Sequence, residues 1–176
     1  AAYRAAKETI VRGQRPGDVV VVNADDPGAA AFAEITPASL VEVSLEHPVE
    51  CGAFVRDGTI VLRWDDAQTV VGPLDLLAYA GRHGLNLLVA LAVAAAAGAP
   101  PDALGHALAG VELPTHRGRR VGLVGGLPVI DDGMAATPAK TAATLAAYAG
   151  GSVVLIAGGV DDLGAGPVHA MPEERE

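Results

Sequence analysis

The sequence is short of cysteine, and its single thiol limits the chemistry that the chain can carry. Cys51 is the only cysteine among 176 residues, so neither an intrachain disulfide nor a thiolate metal cluster can form. A chain without disulfides suits a reducing compartment, and the sequence therefore predicts a cytoplasmic protein.

Aromatic residues, positive charge and long apolar runs are also scarce. Aromatics make up 3% of the chain, so a core must be built from Val, Leu, Ala and Ile. The formal net charge of −9 argues against nucleic acid as a partner, because a phosphate backbone requires a basic surface. The longest apolar stretch, residues 85–97, is too short to span a bilayer, so no membrane insertion is expected.

The length of 176 residues allows one large domain or parts of two. Because the chain begins without Met and ends in a charged run at residues 172–176, we expect it to be a segment of a longer protein. A monomer is the expected oligomeric state.

Residues 1–112 have the pattern of an α/β domain that opens with a helix and a strand. An apolar stripe through Tyr3 and Ile10 predicts an amphipathic helix over residues 1–12. The β-branched run at residues 18–22 predicts a strand that is covered on both faces.

Turn-forming residues follow this strand. Asp26 and Pro27 are expected to open a short helix, and Asn23 and Asp25 are interpreted as turn residues rather than ligands. Further strands are expected at residues 39–45 and 68–72.

A hairpin and a long apolar helix complete the first part. Asp57-Gly58 is a dipeptide that two-residue turns prefer, and it predicts a hairpin over residues 52–64, placed as an antiparallel edge or flap. His83 and Asn86 lie at the start of a helix that is expected to be buried. There they either cap the helix or contact a ligand.

The second part, residues 113–176, centres on paired acids. The apolar run at residues 127–130 predicts a buried strand, so Asp131 and Asp132 lie at its carboxyl end, where open α/β sheets bind ligands. The alternative is that these two acids and Gly133 form only a turn.

A second apolar run, residues 152–157, favours the ligand-binding interpretation. It follows a helix that is expected to start near Pro138, so two predicted strands bracket one helix. The domains are therefore predicted as residues 1–112 and 113–176.

The sequence shows no pattern of nucleophilic or zinc catalysis. It contains no Ser-His-Asp or Cys-His arrangement, and its five histidines have irregular spacings. The glycine-rich run at residues 158–166 does not match G-x-G-x-x-G, so a dinucleotide site is only weakly indicated.

Five blocks, in order along the chain, resemble the Mur ligase family. They are AYRAAK, VVVNADDP, GRHGLN, LPTHR and the unit from DDGMAATP to LIAGG. The resemblance implies an α/β fold in which a central P-loop-type ATPase domain, incomplete because the phosphate loop is absent from these residues, precedes the start of a Rossmann-like C-terminal domain. It also implies an ATP-dependent ligase of peptidoglycan precursor synthesis, which phosphorylates a carboxylate and lets an amine attack the acyl phosphate.

The same resemblance implies roles for five residues. Lys7 matches the lysine that the family carbamylates near Mg²⁺, an ion that requires hard oxygen ligands; without the motif, Lys7 would be interpreted as a solvated helix lysine. Asn86 matches an adenine-binding position, and His83 lies in the same block. Arg117 matches an arginine that reaches ATP, and Asp132 matches an acid that binds the ribose.

Departures from the family affect the predicted amino-acid pocket, to which Met134, Thr137 and Asp162 are assigned. Met134 and Asp162 stand where D-glutamate-adding members have lysines, and a desolvated dicarboxylate needs such cations. Arg119 and Lys140 are candidates for a replacement charge. We therefore hypothesise that L-glutamate, rather than D-glutamate, is added to UDP-N-acetylmuramoyl-L-alanine.

Two alternatives stay open. One is a Mur-like ligase with another acid and amine, of the folylpolyglutamate or storage-peptide type. The other is a nucleotide-binding module without catalysis. This segment alone is expected to be inactive, because the phosphate loop and upstream magnesium ligands are missing from it.

Overall fold

The computed structural model describes residues 2–74, 80–108, 110–111, 114–146, 148 and 153–158. The chain separates into two compact units, Ala1–Val111 and Glu112–Glu176. The first unit contains α1 (Ala2–Arg12), β1 (Val19–Asn23), α2 (Pro27–Ala30), a 3-10 helix (Ala31–Glu34), β2 (Ser39–Ser44), β3 (Gly52–Arg56), β4 (Thr59–Trp64), β5 (Ala67–Pro73), α3 (Ala80–Ala96) and α4 (Pro101–Leu108). The second contains β6 (Arg119–Val124), β7 (Leu127–Asp131) and α5 (Pro138–Ala146).

A five-stranded mixed sheet in the order β1-β2-β3-β4-β5 is the centre of the first unit. β1, β2 and β3 run parallel, whereas β3–β4 and β4–β5 are antiparallel pairs. The predicted hairpin turn is confirmed, because Asp57 and Gly58 have φ values of 52° and 71°, as the preferred two-residue turn requires. Its predicted position is wrong. The hairpin lies inside the sheet, since β2 and β5 pair with its two outer edges.

The main core lies between this sheet and two helices. Helix α3 packs across β1 to β4, and α4 packs against β5. Ala53 and Leu62 pair across β3 and β4 and join this core. The next pair, Phe54 and Val61, lies in a separate cluster with Val49, because successive residues of a strand point to opposite faces.

Burial differs from the sequence prediction in three elements. β1 is only partly covered, because it is the end strand of the described sheet, and Val22 alone among its residues is buried. In α1, Val11 is buried, whereas Ile10 is 66% exposed. In α3, Val93 is exposed, so the helix buries one face rather than its whole surface.

The second unit is built on an antiparallel hairpin. β6 pairs with β7 through a turn at Gly125 and Gly126, which have positive φ values. The strand predicted at residues 127–130 is present, but its expected burial is wrong, because Leu127 is 66% exposed. β6 was not predicted, since its sequence, two arginines followed by Val-Gly-Leu-Val, gives no strong periodic signal.

The end of the predicted strand-helix-strand unit also differs. Helix α5 begins at Pro138, as expected. Residues 153–158 form no strand, and Ile156 is 94% exposed. Ser152 lies outside the described residues. A buried parallel strand requires a paired neighbour and covered faces, and residues 153–158 have neither among the described residues.

No helix in the described part of the chain combines the length and hydropathy needed to cross a membrane.

Candidate functional site

Two loops of the second unit are fastened to each other. His116 Nδ1 donates to Asp131 Oδ2 at 2.6 Å, and the backbone N–H of Met134 donates to the carbonyl oxygen of His116 at 3.0 Å. We call this pair of contacts the clasp. It holds the loop before β6 against the loop after β7, so residues from LPTHR and DDGMAATP meet in one place.

Asp131 stabilises the turn after β7. Its Oδ1 accepts a hydrogen bond from the backbone N–H of Gly133 at 3.1 Å. This bond, and then the hydrogen bond from His116, hold the pKa of the Asp131 carboxyl below its usual range, against a smaller opposing effect of desolvation. Asp131 is therefore a carboxylate at neutral pH with both oxygens engaged, as the turn interpretation requires.

Asp132 has different partners. Thr144 Oγ1 of α5 donates to Asp132 Oδ2, and the side chain is half-buried. Among the described residues, Oδ1 has no hydrogen-bond partner. A carboxylate that is oriented through one oxygen can accept ribose hydroxyls through the other, which suits the role that the resemblance implies. Thr144 was missed, because a threonine within an Ala-rich helix carries no signal of its own.

Most of the other predicted site residues of the second unit lie close to the clasp residues along the sequence. Arg117 follows His116 and is exposed, as is Met134. Thr137 Oγ1 accepts the backbone N–H of Lys140 at 3.4 Å at the start of α5, so Thr137 acts as a helix cap. Asp162 lies outside the described residues.

The predicted residues of the first unit lie on two helices. Lys7 is exposed on α1, and only the backbone of His83 is described, within α3. Asn86 is exposed and is the seventh residue of α3, beyond the four terminal N–H groups that a cap could satisfy. The capping alternative for Asn86 is therefore wrong. Whether these residues share a cleft with Arg117 stays a prediction.

Asp25 has a role that sequence reasoning missed. Its Oδ1 accepts from Ser44 Oγ at 2.5 Å, and its Oδ2 accepts the backbone N–H of Leu45 at 2.7 Å. Ser44 is fully buried. Asp25 is thus a brace between the carboxyl ends of β1 and β2 as well as a turn residue. Polar residues at or just beyond the carboxyl ends of two apolar strands are the signal that could have indicated it.

A resident metal site is not evident in the described residues. No three His, Cys, Asp or Glu side chains among them group closely enough to hold a metal ion. Mg²⁺ commonly uses one or two protein oxygens together with substrate phosphates. The metal role expected for Lys7 stays a prediction.

No protein-family model matches the chain. Curated proteins do match it. The chain is 37% identical over 161 residues to a UDP-N-acetylmuramoylalanine–D-glutamate ligase of Geobacillus kaustophilus. It is 39% identical over 158 residues to the same-named protein of Rubrobacter xylanophilus, and 32% identical over 160 residues to that of Bacillus subtilis.

These alignments include 91%, 89% and 90% of this chain but 35%, 34% and 34% of the relatives. The chain therefore spans about a third of the length of the curated relatives that it matches. Nearly all of it, from the first unit through the clasp of the second, takes part in the likeness, and the chain belongs to the Mur ligase family.

Proposed function

We propose that this chain supplies nucleotide-binding and amino-acid-binding parts of an ATP-dependent ligase that adds glutamate to UDP-N-acetylmuramoyl-L-alanine in peptidoglycan precursor synthesis. The observation that carries the proposal is the match of about 90% of the chain to relatives named as glutamate ligases. The clasp supports it, because it joins the two loops that bear Arg117 and Asp132.

The reaction proceeds in two steps. An oxygen of the substrate carboxylate attacks the γ-phosphorus of ATP, and the bond to ADP breaks, which leaves an acyl phosphate and ADP. The amine of glutamate then attacks the acyl carbon, phosphate leaves with the bonding electron pair, and the amine loses a proton. Amide formation is possible because the acyl phosphate has phosphate as a leaving group, which the free carboxylate lacks.

In this proposal, the residues of the second unit bind and orient the nucleotide. Arg117 offers a planar set of N–H donors for phosphate oxygens. Asp132, oriented by Thr144, accepts hydrogen bonds from ribose hydroxyls. In the first unit, Asn86 and His83 are assigned to the adenine. Lys7, as its carbamate, would supply an oxygen ligand to Mg²⁺, which would offset negative charge on the phosphates.

The nucleotide assignment is tested by Asp132→Ala in the full-length protein. We expect the KM for ATP to rise about tenfold or more, as for the loss of hydrogen bonds to a charged group. Asp102→Ala is the control, because Asp102 is an exposed acid in the first turn of α4. An unchanged KM for ATP in the Asp132 variant would show that the ribose assignment is wrong.

The metal assignment is tested by Lys7→Ala. We expect a large loss of kcat with little change in thermal unfolding, because the side chain is exposed. Arg4→Ala is the matched control on the same exposed helix, where Arg4 pairs with Glu8 at 3.1 Å. If both variants retained full kcat, Lys7 would have no part in the reaction.

A further question is which isomer of glutamate the ligase adds. The printed names of the relatives contain D-glutamate, whereas the uncharged Met134 favours the L-isomer hypothesis, since its side chain cannot pair with a carboxylate. ADP release by the full-length protein with L-glutamate and with D-glutamate separates the two. Turnover with D-glutamate alone would reject the L-specific form, and dependence on the UDP-muramoyl acceptor distinguishes this enzyme from a folylpolyglutamate-type ligase.

A further inference from the structure

The second unit contains a shallow, cationic pocket that shares His116 and Asp131 with the clasp. Its volume is about 320 Å³. It is lined by Thr115, His116, Arg119, Arg120, Val121 and Asp131. Neither Asp132 nor Met134 lines it, so the pocket is distinct from the ribose position proposed above.

A β-bulge lies within the part of β6 that lines this pocket, which includes Arg119, Arg120 and Val121. Successive side chains of a regular strand point to opposite faces. Here the pairing of β6 with β7 shifts between Arg120 and Gly122, and Val121 has no partner in the register. Bulges of this kind re-aim side chains and are common beside functional sites. The bulge interrupts this alternation beside Arg120, and both Arg119 and Arg120 line the pocket.

The charge of the pocket is not balanced from within. Asp131 is its only acid, and it lies opposite Arg119 in the register. However, Asp131 Oδ1 accepts from Gly133 and Oδ2 accepts from His116. Among the described residues, neither arginine has an ion-pair partner. The pocket therefore contains two guanidinium groups without an ion-pair partner among the described residues, although the chain has a net charge of −9. These groups are available to pair with an anion from solution.

We propose that Arg119 and Arg120 bind an oxyanion, a carboxylate or a phosphoryl group, of one small acidic substrate. The identity of that substrate rests on the proposed function, which offers two sources, the side-chain carboxylate of glutamate and the phosphates of ATP. Both present paired oxygens that match the planar donor set of arginine.

The test compares full-length wild-type protein with an Arg119→Gln/Arg120→Gln double variant. Both side chains are exposed, so glutamine should not change thermal unfolding. We expect the KM for either glutamate or ATP to rise roughly tenfold or more, because charge-assisted hydrogen bonds are lost. The other KM should stay within about twofold. Arg56→Gln is the matched control, since it removes a surface charge from a hairpin of the first unit.

The outcomes separate the two sources. A selective rise in the KM for glutamate assigns the pocket to a carboxylate, and a selective rise in the KM for ATP assigns it to a phosphoryl group. Unchanged KM values would overturn the proposal. An equal rise in both would also overturn it, because that result indicates a general effect of charge rather than one bound oxyanion.

A second measurement keeps this proposal separate from the ligase function. Calorimetric titration of the full-length protein with glutamate, and separately with inorganic pyrophosphate, reports binding without turnover. Suppose that the protein releases no ADP but that one of these anions binds to the wild type and not to the double variant. The pocket then binds an oxyanion as proposed, and the ligase proposal is wrong. Equal binding to both proteins, or binding to neither, refutes the pocket.

Discussion

The two units of this chain differ in what holds their residues in place. In the first, α3 and α4 pack against a five-stranded sheet, and side chains such as Leu88 are completely removed from water. In the second, large apolar residues of the hairpin, including Leu127, are exposed, and the clasp fixes the loops through polar contacts. Burial therefore stabilises the first unit, whereas hydrogen bonds set the geometry of the second.

This difference has a consequence for function. Buried apolar area contributes most of the free energy of folding but specifies positions only through close packing. Hydrogen bonds contribute less net free energy but fix directions and distances. Under the proposed function, the loops that would present Arg117 and Asp132 to a nucleotide need the second kind of constraint. Matched substitutions in the two units should therefore have very different effects.

The largest difference is expected between Gly52→Ala and Gly125→Ala. A Cβ at Gly52 would lie 1.8 Å from the carbonyl oxygen of Glu42, at a φ of +134°, so we expect a loss of more than about 4 kcal/mol in the free energy of unfolding. Gly125 has a φ of +58° with no heavy atom within 4 Å of an added Cβ, and only about 1–2 kcal/mol of left-handed strain applies.

Urea unfolding monitored through Trp64, the only tryptophan, measures the first unit, because Trp64 packs against its core. Gly52→Ala should shift or abolish this transition, and Gly125→Ala should leave it in place. Comparable shifts would mean that the two units unfold as one.

Removal of a large apolar side chain should have the next largest effect. Leu88→Ala leaves a cavity between α3 and the sheet and should cost about 2–5 kcal/mol. Leu127→Ala, in the exposed hairpin, should change stability by less than about 0.5 kcal/mol. Thermal unfolding of the two variants measures the difference. A large loss from Leu127→Ala would show that the hairpin is covered in solution.

Removal of a carboxylate should lower stability more at Asp25, which joins β1 and β2, than at Asp131 of the clasp. Asp25→Ala leaves the hydroxyl of the fully buried Ser44 without its acceptor, which should cost about 1–3 kcal/mol. Asp131→Ala removes an exposed contact to His116 and should cost less. Urea midpoints compare the two variants, and amide exchange at Met134 shows whether the clasp has opened. An equal loss in both variants would contradict the difference in burial.

The smallest effect is the pH dependence of the clasp. The pKa of Asp131 lies below its ordinary value because Gly133 and His116 stabilise the carboxylate. Its contribution to stability is therefore fully present above the ordinary carboxyl pKa and is lost as the pH falls through the lowered value. NMR titration of the Asp131 carboxyl carbon measures the midpoint. A midpoint at or above about 3.9, the ordinary value for Asp, would contradict the clasp.

Local signals predicted well which elements form. The turn at Asp57-Gly58 and the helix starts at Pro27 and Pro138 are present as predicted, because each depends on backbone preferences of one or two residues. Predictions of coverage were less accurate. Leu127 was expected to be buried and is exposed, since an apolar run does not reveal whether another element packs on it.

Polar contacts between distant residues were missed for a related reason. Asp25 and Ser44 are 19 residues apart, and His116 and Asp131 are 15 apart. Each of these residues also has an ordinary explanation as a turn or surface residue. Only the pairing of β1 with β2, and of β6 with β7, brings the partners within hydrogen-bonding distance.

The sequence by itself determined most of the α/β elements, the likeness to the Mur ligases and the residues to consider at a nucleotide site. The tertiary structure decided that β3 and β4 lie inside the sheet, that Asp25 joins two strand ends, and that Arg119 and Arg120 line one pocket. The physical reason is one of range. Backbone preferences act over a few neighbouring residues, whereas a partner across the fold is chosen only when the chain closes and brings distant groups into contact.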